Sequence, residues 1–321
     1  MRRASALAFI PLLAAVVVAG CSSSSSSKPA AAASSDSYQS VKVTGSFGKA
    51  PTVTIPKVTG TGDLYTKTVI QGTGAKLTTS EGLIGNYVAY DWSGKTSKLL
   101  GSSYTQGAPS LFAGSLLPGL QTALEGQKLG SRVLAVIPPK DAFGSSGASQ
   151  EGIGPKDTLV FVVDMSSTFD DSKVPGTQTS TGGGKLPTVT PPAATGTAGP
   201  TIKIPAKVTA PTKLQVDTLL KGKGAVVKKG QDIAVQYTGV IWRTGEVFDS
   251  SWARNMGPLT TYIGEGQVIP GWDTGLVGQT VGSRVLLVIP PADGYGSAGA
   301  SQAGIKGTDT LVFAVDILAA A

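Results

Sequence analysis

Alternating apolar and polar side chains predict short β-strands through much of this chain. Residues 233–237 read Ile-Ala-Val-Gln-Tyr, so that large apolar side chains recur at every second position. This is the period of a strand. Residues 284–289 and 310–318 are β-branched and apolar and are bounded by glycine or proline, which is also typical of strands.

Helical signals are confined to one short stretch in each half of the chain. Pro270 suits the start of a helix and Gly278 its end, so residues 271–277 can form only a short helix. Residues 119–125 occupy the same place in the first half. The pattern predicts an α+β arrangement in which one antiparallel sheet curls over one short helix.

The chain contains two copies of one sequence module. Residues 129–165 align without gaps to residues 281–317, with identity at 25 of the 37 positions, which indicates duplication. Upstream, residues 51–56 match residues 200–205. Each copy spans about 120 residues, which is enough for one hydrophobic core.

These matches divide the chain into five parts. The stretch between the copies is dominated by Thr, Gly and Pro, which is typical of a linker that its prolines partly extend. A Ser/Ala-rich stretch near the N-terminus is too poor in apolar residues to form a core, so we expect a flexible tether. The parts are a signal peptide (1–20), the tether (21–50), a first domain (51–169), the linker (170–199) and a second domain (200–321).

The first residues of the chain have the form of a secretory signal. Arg2 and Arg3 precede an uncharged stretch that ends at Val18 and is too short for a spanning helix. Residues 18–21, Val-Ala-Gly-Cys, resemble the lipobox of bacterial lipoproteins, in which cleavage precedes the cysteine and its thiol carries a diacylglycerol. The resemblance implies a lipid anchor at Cys21 on the outer face of the cytoplasmic membrane, in the bacterial cell envelope. An ordinary signal with a chance cysteine is the alternative.

Composition excludes several kinds of chemistry. The chain has no histidine, which excludes Ser-His-Asp and Cys-His catalysis and histidine metal sites. Its one cysteine is assigned to lipidation, and it has no nucleotide-binding glycine motif. We therefore expect neither a metal nor a cofactor. The net charge of +7 comes with scattered lysines, which favours a solvated surface over nucleic-acid binding.

The second copy carries a series of motifs in a fixed order. They are VQYTG (235–239), GEVFDSS (245–251), Arg254, GQVIPGWD (266–273), GL (275–276), VGSR (281–284), IPP (289–291), GYG (294–296) and TLVF (310–313). This series resembles the FKBP-type peptidyl-prolyl isomerases, the immunophilins, over residues 217–318. The resemblance implies a half-barrel of antiparallel strands wrapped on a short helix, present here in two tandem copies.

The resemblance also implies an apolar pocket for a proline ring. Its floor would be Trp272, and its walls would be Tyr237, Phe248, Val268, Ile269 and Phe313. Ile305 matches an apolar residue in the loop over the pocket. Two departures make the rim less aromatic, because Leu259 replaces an aromatic residue and a second loop position has become Ala300 or Gln302. Both would weaken or redirect ligand choice without abolishing the chemistry.

Polar groups of the pocket follow from the same resemblance. Asp249 would accept a hydrogen bond from Tyr237 or from a ligand, with Arg254 beside it. The backbone N–H of Ile269 and the hydroxyl of Tyr295 would bind the carbonyls of the substrate.

This chemistry needs only an apolar cleft. Rotation about an Xaa–Pro bond breaks amide resonance and takes tens to hundreds of seconds without a catalyst. The twisted amide is less dipolar than the planar one, so an apolar pocket favours it relative to water. No acid, nucleophile or metal is needed. The alternative is that the aromatic residues belong simply to a core, as Phe313 alone would suggest.

The first copy keeps the framework and loses the pocket. Aligned through the repeat, Tyr90 matches Tyr237 and Phe161 matches Phe313. The other pocket groups are replaced, with Leu120 for Trp272, Leu100-Gly101 for Phe248-Asp249, Gln106 for Arg254 and Phe143 for Tyr295. We expect a degenerate domain that is a spacer or stabiliser, or that holds a substrate or partner peptide.

The sequence therefore predicts a peptidyl-prolyl cis-trans isomerase that acts on Xaa–Pro bonds of exported polypeptides, with activity in the second copy only. Macrolide ligands of the family are further expected partners, and nucleic acid is not. A non-catalytic, chaperone-like binder of proline-containing segments is the alternative. A third class, a structural wall lipoprotein, is what the first copy alone would suggest.

The lipobox predicts how the protein fractionates. Cys21→Ala removes the thiol that would carry the lipid, so we expect this variant to lose lipidation and cleavage at that site. The unaltered protein should enter the detergent phase of a detergent–water partition and sediment with membranes. Release of unaltered, lipid-free protein into the medium would contradict the lipoprotein prediction.

Overall fold

The computed structural model describes residues 37–114, 116–191, 199–254 and 257–321, with the backbone alone for Arg254. Cys21 and the predicted signal peptide lie outside the described residues. Within the described ranges, we find no helix with the length and apolar character needed to cross a membrane.

The described residues form two compact units. The first unit lies within residues 37–73, 87–105 and 117–164, and the second within 74–86, 106–116 and 165–321. Two stretches of the first sequence copy, 74–86 and 106–116, therefore belong to the second unit. The domain boundaries drawn from the repeat stay a prediction.

The first copy and the residues before it contain eight strands. They are β1 (Lys42–Thr44), β2 (Thr52–Thr54), β3 (Tyr65–Ile70), β4 (Glu81–Ser93), β5 (Thr96–Ser102), β6 (Ser110–Phe112), β7 (Arg132–Ile137) and β8 (Thr158–Asp170). The α-helices are α1 (Ser103–Gln106) and α2 (Pro118–Leu124), and the 3-10 helices are Ser37–Ser40, Pro139–Asp141, Gly144–Ser146 and Ser149–Glu151.

The rest of the described chain contains nine strands. They are β9 (Thr177–Gln178), β10 (Thr188–Thr190), β11 (Thr201–Lys203), β12 (Gln215–Lys221), β13 (Asp232–Ile241), β14 (Val247–Ser250), β15 (Leu259–Tyr262), β16 (Arg284–Ile289) and β17 (Leu311–Ala320). The α-helix is α3 (Pro270–Leu276), and the 3-10 helices are Trp252–Arg254, Pro291–Asp293, Gly296–Ala298 and Ser301–Ala303.

Each copy forms one sheet over one short helix. The strand order is β3-β7-β8-β4-β5 in the first copy, with β6 on β4, and β14-β13-β17-β16-β12-β9 in the second, with β15 on β13. Glycine lets each helix approach its sheet closely. A Cβ at Gly271 of α3 would lie 2.6 Å from Ile289, and one at Gly119 of α2 would lie 2.5 Å from Ile137. The predicted α+β fold, an antiparallel sheet wrapped on a short helix in two tandem copies, is confirmed.

The sheet of the second unit is buried on both faces. Its inner face packs against α3, where Leu276 is fully buried. Its outer face is covered by the pair β10–β11, whose Val189 and Ile202 are buried in one cluster with Trp242, the residue that directly follows β13. Because both faces are covered, the central strands read as nearly continuous apolar runs.

The structure gives residues 170–191 a more definite role than the linker predicted from composition. Strand β9 pairs with β12, and β10 pairs with β11. Val189 is buried, whereas Thr188 and Thr190 beside it are exposed. Val189 covers part of the outer face of the sheet although it lies between two threonines. The high content of Thr, Gly and Pro in this stretch does not reveal such a role.

A buried ion pair links two central strands in each copy. In the first unit, Arg132 Nε lies 2.6 Å from Asp164 Oδ1, and both side chains are fully buried. The same guanidinium donates to three carbonyls in residues 45–49, the loop of the hairpin β1–β2. Arg284 and Asp316 form the corresponding bidentate pair in the second unit, at 2.6 and 2.7 Å. Buried charges require this full set of partners, so Arg132 also fastens the hairpin to its sheet.

The strand pairing corrects one match between the copies. Tyr87, and not Tyr90, occupies the place of Tyr237. The N–H of Tyr87 donates to Ser103 Oγ at 2.9 Å, as the N–H of Tyr237 donates to Ser251 Oγ at 2.8 Å.

The reason for the correction is a difference in hairpin length. Val88 pairs with Ser102 where Thr238 pairs with Ser250, so the β4–β5 hairpin is two residues longer than its counterpart. Tyr90 is consequently in the outer-face cluster of the first unit. Tyr87 and Tyr90 are three positions apart on β4. Because three is an odd number, their side chains lie on opposite faces of the sheet.

The corrected register places Asp91 where the second copy has Ile241. Asp91 is 6% exposed, and its Oδ1 has no hydrogen-bond partner among the described residues. Burial and the charge of Asp157 raise the pKa of Asp91 to about 6, against the opposing charge of Lys98. The folded state therefore binds this proton more tightly than the unfolded chain does. The group lowers the free energy of unfolding above pH 6, and this penalty disappears as the pH falls towards 3.8.

We expect Asp91→Ile to raise Tm at about pH 7.5 by about 2–4 °C, the effect of roughly 1 kcal/mol in a protein of this size. The substitution removes a buried charge at a position where the second copy already holds isoleucine. The gain should shrink at about pH 4.5, because the carboxyl is then largely protonated. Thermal unfolding at the two pH values measures it, and Asp63→Asn is the control, since the Asp63 side chain is 94% exposed. Equal gains at both pH values would show that charge burial is not the cause.

Candidate active site

Four aromatic rings meet on the inner face of the second unit. Strand β13 supplies Tyr237, β14 Phe248, α3 Trp272 and β17 Phe313. The ring centre of Phe313 lies 5.4 Å from that of Phe248, 5.3 Å from Trp272 and 6.2 Å from Tyr237. Trp272 and Tyr237 are 5.2 Å apart in the edge-to-face arrangement that aromatic pairs prefer. The structure thus brings together the rings that were assigned to the floor and walls of a proline pocket.

The start of α3 determines where Trp272 lies. Pro270 takes the first helical position, where its missing N–H is not needed, after an extended Ile269. The N–H of Trp272 donates to the Ile269 carbonyl at 2.9 Å. The Trp272 side chain is 3% exposed, and its indole N–H has no partner in the part of the chain that the structure describes. An unpaired buried donor is uncommon in a packed core, which favours a binding surface here.

Gly239 makes room for the two phenylalanine rings. It pairs with Phe313 on β17 and with Asp249 on β14. A Cβ at this position would lie 2.8 Å from a ring atom of Phe248 and 2.8 Å from one of Phe313. Any larger residue would therefore push the walls of the cluster apart.

Two polar groups border the rings. The Tyr237 hydroxyl donates to Asp249 Oδ2 at 2.5 Å. Tyr295 is 43% exposed, and burial of its phenol, followed by the charge of Asp249, raises its pKa. The Tyr295 hydroxyl is therefore protonated at neutral pH and can donate a hydrogen bond to a ligand.

Two loops complete the border of the cluster. Ile305 is 3% exposed and is fixed by two backbone hydrogen bonds with Ala300, at 2.9 and 3.1 Å. Val268, Ile269 and Leu259 are half-buried against the same core. Aliphatic side chains therefore lie at this border, and the effect of Leu259 and of Ala300 or Gln302 on ligand choice stays a prediction.

Asp273 holds the loop that leads into Val268. Its carboxylate accepts the N–H of Gly264 at 2.6 Å and that of Gly266 at 2.8 Å. Both glycines have a positive φ, at 80° and 73°, where other residues are strained. The sequence signal for this role was only an acidic residue directly after the tryptophan and a glycine pair upstream.

Ser251 and Gln236 also support the cluster, although the motifs that contain them gave no sign of this role. Ser251 Oγ accepts the N–H of Tyr237 at 2.8 Å and donates to Gln236 Oε1. The available signal was that the serine recurs as Ser103 in the first copy.

The side chain of Arg254 lies outside what the structure describes. Its backbone ends the short helix Trp252–Arg254, and its role beside Asp249 stays a prediction. Among the described residues, no three Asp, Glu, Cys or His side chains are grouped so that they could hold a metal ion.

The first unit keeps the tyrosine and one phenylalanine of this arrangement. The rings of Tyr87 and Phe161 are 6.4 Å apart. Leu120, which is 3% exposed, stands in place of the tryptophan. Gly101 stands in place of the aspartate, and a Cβ there would lie 3.2 Å from the Tyr87 hydroxyl oxygen. The first unit has therefore lost the indole and the carboxylate of the site while keeping its scaffold.

Both copies of this chain resemble known proteins in sequence. The model of the FKBP-type peptidyl-prolyl cis-trans isomerase family matches residues 80–166 and 224–318. An FK506-binding protein of Streptomyces anulatus is 43% identical over 109 residues, which cover 34% of this chain and 87% of that protein. A probable FK506-binding protein of Corynebacterium glutamicum is 39% identical over 111 residues, 35% of this chain and 90% of that protein. The protein in the crystal structure of AtFKBP13 is 35% identical in sequence. The match covers 35% of this chain and 96% of that chain, with a TM-score of 0.32. This chain belongs to the FKBP-type peptidyl-prolyl cis-trans isomerase family, with one match to the family in each of its two copies.

Proposed function

We propose that the second copy catalyses cis–trans isomerisation of Xaa–Pro bonds in exported polypeptides. Family membership implies the activity. The observation that carries the assignment to one copy is the ring cluster of the second unit, where Phe313 packs against Trp272 and Phe248. The first copy matches the same family and has leucine at both of the corresponding positions, Leu120 and Leu100.

The site would act through solvation and orientation, without a covalent intermediate. A proline ring lying on Trp272 would take its amide out of water, and the less dipolar twisted amide would gain relative to the planar one. The hydroxyl of Tyr295 and the N–H of Ile269 would hold carbonyls of the substrate while the bond rotates. The uncatalysed barrier is about 18–20 kcal/mol. Each ~1.4 kcal/mol of preferential stabilisation of the twisted amide speeds the rotation tenfold.

Asp249 would support the site as a hydrogen-bond acceptor. Its bond from the Tyr237 hydroxyl holds one wall of the ring cluster against β14. Loss of Asp249 would therefore loosen that wall and remove this acceptor of the Tyr237 hydroxyl.

The location and ligands belong to the same proposal. The signal-like N-terminus and Cys21 support a lipid anchor on the outer face of the cytoplasmic membrane, where exported polypeptides emerge. The relatives are named FK506-binding proteins, and we infer that the second copy binds this macrolide. Leu259, in place of an aromatic residue at the rim, would weaken that binding.

Copying the first copy's residues into the second tests where the activity lies. Phe248→Leu combined with Asp249→Gly reproduces the pair at 100–101, which the first unit accommodates. We expect a folded protein whose kcat/KM for a Leu-Pro peptide, in a protease-coupled assay, falls about tenfold or more. One ring wall and the acceptor of Tyr237 are lost, and tenfold corresponds to only ~1.4 kcal/mol.

Leu100→Ala is the matched control in the first copy, and it should leave turnover unchanged. An equal loss of turnover in this control would place the activity in the first copy. The non-catalytic alternative predicts a different outcome. The unaltered protein would then bind FK506 without accelerating isomerisation.

We expect Tyr237→Phe to weaken FK506 binding and to lower Tm. The change keeps the ring and removes its hydrogen bond to a carboxylate, a bond typically worth about 1.5–3 kcal/mol. Calorimetric titration with FK506 and thermal unfolding measure the two effects. Tyr87→Phe is the matched change, because that hydroxyl faces Gly101, and it should leave FK506 affinity unaltered. Equal FK506 affinity in wild type and Tyr237→Phe would remove the Tyr237–Asp249 bond from the binding mechanism.

A further inference from the structure

The residues that follow β8 are packed into the second unit. We call residues 169–174 the exit segment, because the chain leaves the first copy there. Phe169 and Val174 pack against a cluster that includes Leu318 and Ala319 of β17. The Phe169 ring also lies on β4, where a Cβ at Gly82 would be 2.1 Å from its tip. The exit segment is therefore held by an apolar side chain at each of its ends.

Between those ends, the exit segment is bonded to the strand that carries the pocket tyrosine. Gln236 Nε2 donates to the main-chain carbonyl of Asp171 at 3.3 Å. Gln236 is 6% exposed and directly precedes Tyr237 in β13. A buried amide must find partners for its oxygen and its nitrogen, and the Asp171 carbonyl is the partner of the nitrogen.

The other end of the same amide reaches the backbone of Tyr237. Gln236 Oε1 accepts from Ser251 Oγ, and that oxygen accepts the N–H of Tyr237 at 2.8 Å. The N–H of Ser251 returns a bond to the Tyr237 carbonyl at 3.1 Å. A continuous chain of hydrogen bonds thus runs from the exit segment to the residue whose phenol bonds Asp249.

The first copy shares the serine bond of this chain. Ser103 bonds the N–H of Tyr87 at 2.9 Å, as Ser251 does for its tyrosine. The residue before Tyr87 is Asn86, one methylene shorter than Gln236. The serine bond is therefore common to both copies, and the longer amide belongs to the copy that keeps the full ring cluster.

We propose that Gln236 is a positioning residue of the isomerase site, and that the exit segment supports that site through the bond from Gln236 to the Asp171 carbonyl. This inference rests on the function proposed for the second copy. It gives the exit segment, which follows the degenerate first copy, a definite part in activity as a support of the pocket. Gln236 itself need not touch the substrate.

Two substitutions of Gln236 in the full chain distinguish the hydrogen bond that its side-chain oxygen accepts from the one that its side-chain nitrogen donates. Gln236→Glu keeps the length and the acceptor for Ser251 but removes the donor to Asp171, and Gln236→Met removes both. We expect each to lower kcat/KM for a Leu-Pro peptide about fivefold, with Asn86→Ala as the matched control within twofold of wild type. Phe169→Ala should lower kcat/KM as well, and combining it with Gln236→Met should add little, since residues in one network are not additive.

Acidification supplies a readout that general loosening of the fold would not give. Once protonated, the carboxyl introduced by Gln236→Glu has an O–H that can donate to the Asp171 carbonyl. The activity of this variant relative to wild type should therefore recover as the pH falls from about 8 to about 5, where a buried carboxyl protonates. Gln236→Met should not recover. Asp170 and Glu81 act on the carboxyl of Asp171, and the ratio to wild type removes the titration of these three acidic groups. Exchange spectroscopy by NMR measures the rates without a coupled protease.

Each result bears on one of the two proposals. An inactive wild type would overturn the proposed function. An active wild type with both Gln236 variants unimpaired would overturn this inference. If Gln236→Glu matches wild type at every pH while Gln236→Met is impaired, only the Ser251 bond matters and the exit segment has no part. Unfolding of Gln236→Met leaves the pH recovery of Gln236→Glu as the deciding measurement, and failure to recover refutes the inference.

Discussion

The pairing register of β13 with β17 is the constraint on which the site depends. It sets Gly239 opposite Phe313, so a ring on one strand lies over the one residue on the other that has no side chain to obstruct it. Tyr237, two positions earlier on β13, then faces the same side of the sheet. A shift of β13 by one residue would turn Tyr237 to the outer face and set Thr238 or Val240, each with a side chain, opposite Phe313.

The two copies show which parts of this arrangement the fold needs. Both keep the buried bidentate pair between central strands, Arg132 with Asp164 and Arg284 with Asp316. Breaking such a pair leaves a buried charge without compensation, so the scaffold depends on it. The ring platform carries no such penalty, because Leu120 fills its place in the first unit and is buried there.

The second folded unit is larger than the region that the family model matches, because the unit includes residues that cover the outer face of its sheet. The match in the second copy spans residues 224–318, whereas the outer-face cluster takes Val189 and Ile202 from upstream. An apolar outer face needs such a cover, since exposed patches of this kind are unfavourable in water. The pair β10–β11 and the exit segment are therefore structural parts of the second unit, although neither has a recognisable motif.

The sequence by itself determined the duplication, the α+β fold and the family, because these depend on strand periodicity and on motifs that are local along the chain. It also identified the aromatic residues that the structure brings together, since the family motifs contain them. Only the tertiary structure decided that Tyr87, rather than Tyr90, corresponds to Tyr237. The alignment of the two copies rests on residues 129–165 and 281–317, which follow the β4–β5 hairpin and its counterpart, so it does not show that the two hairpins differ in length. The strand pairing shows this difference. The structure also decided the partners of Gln236 and Asp273 and the burial of Asp91, because a hydrogen bond or a desolvated charge depends on atoms that are distant in sequence and meet only when the chain is folded.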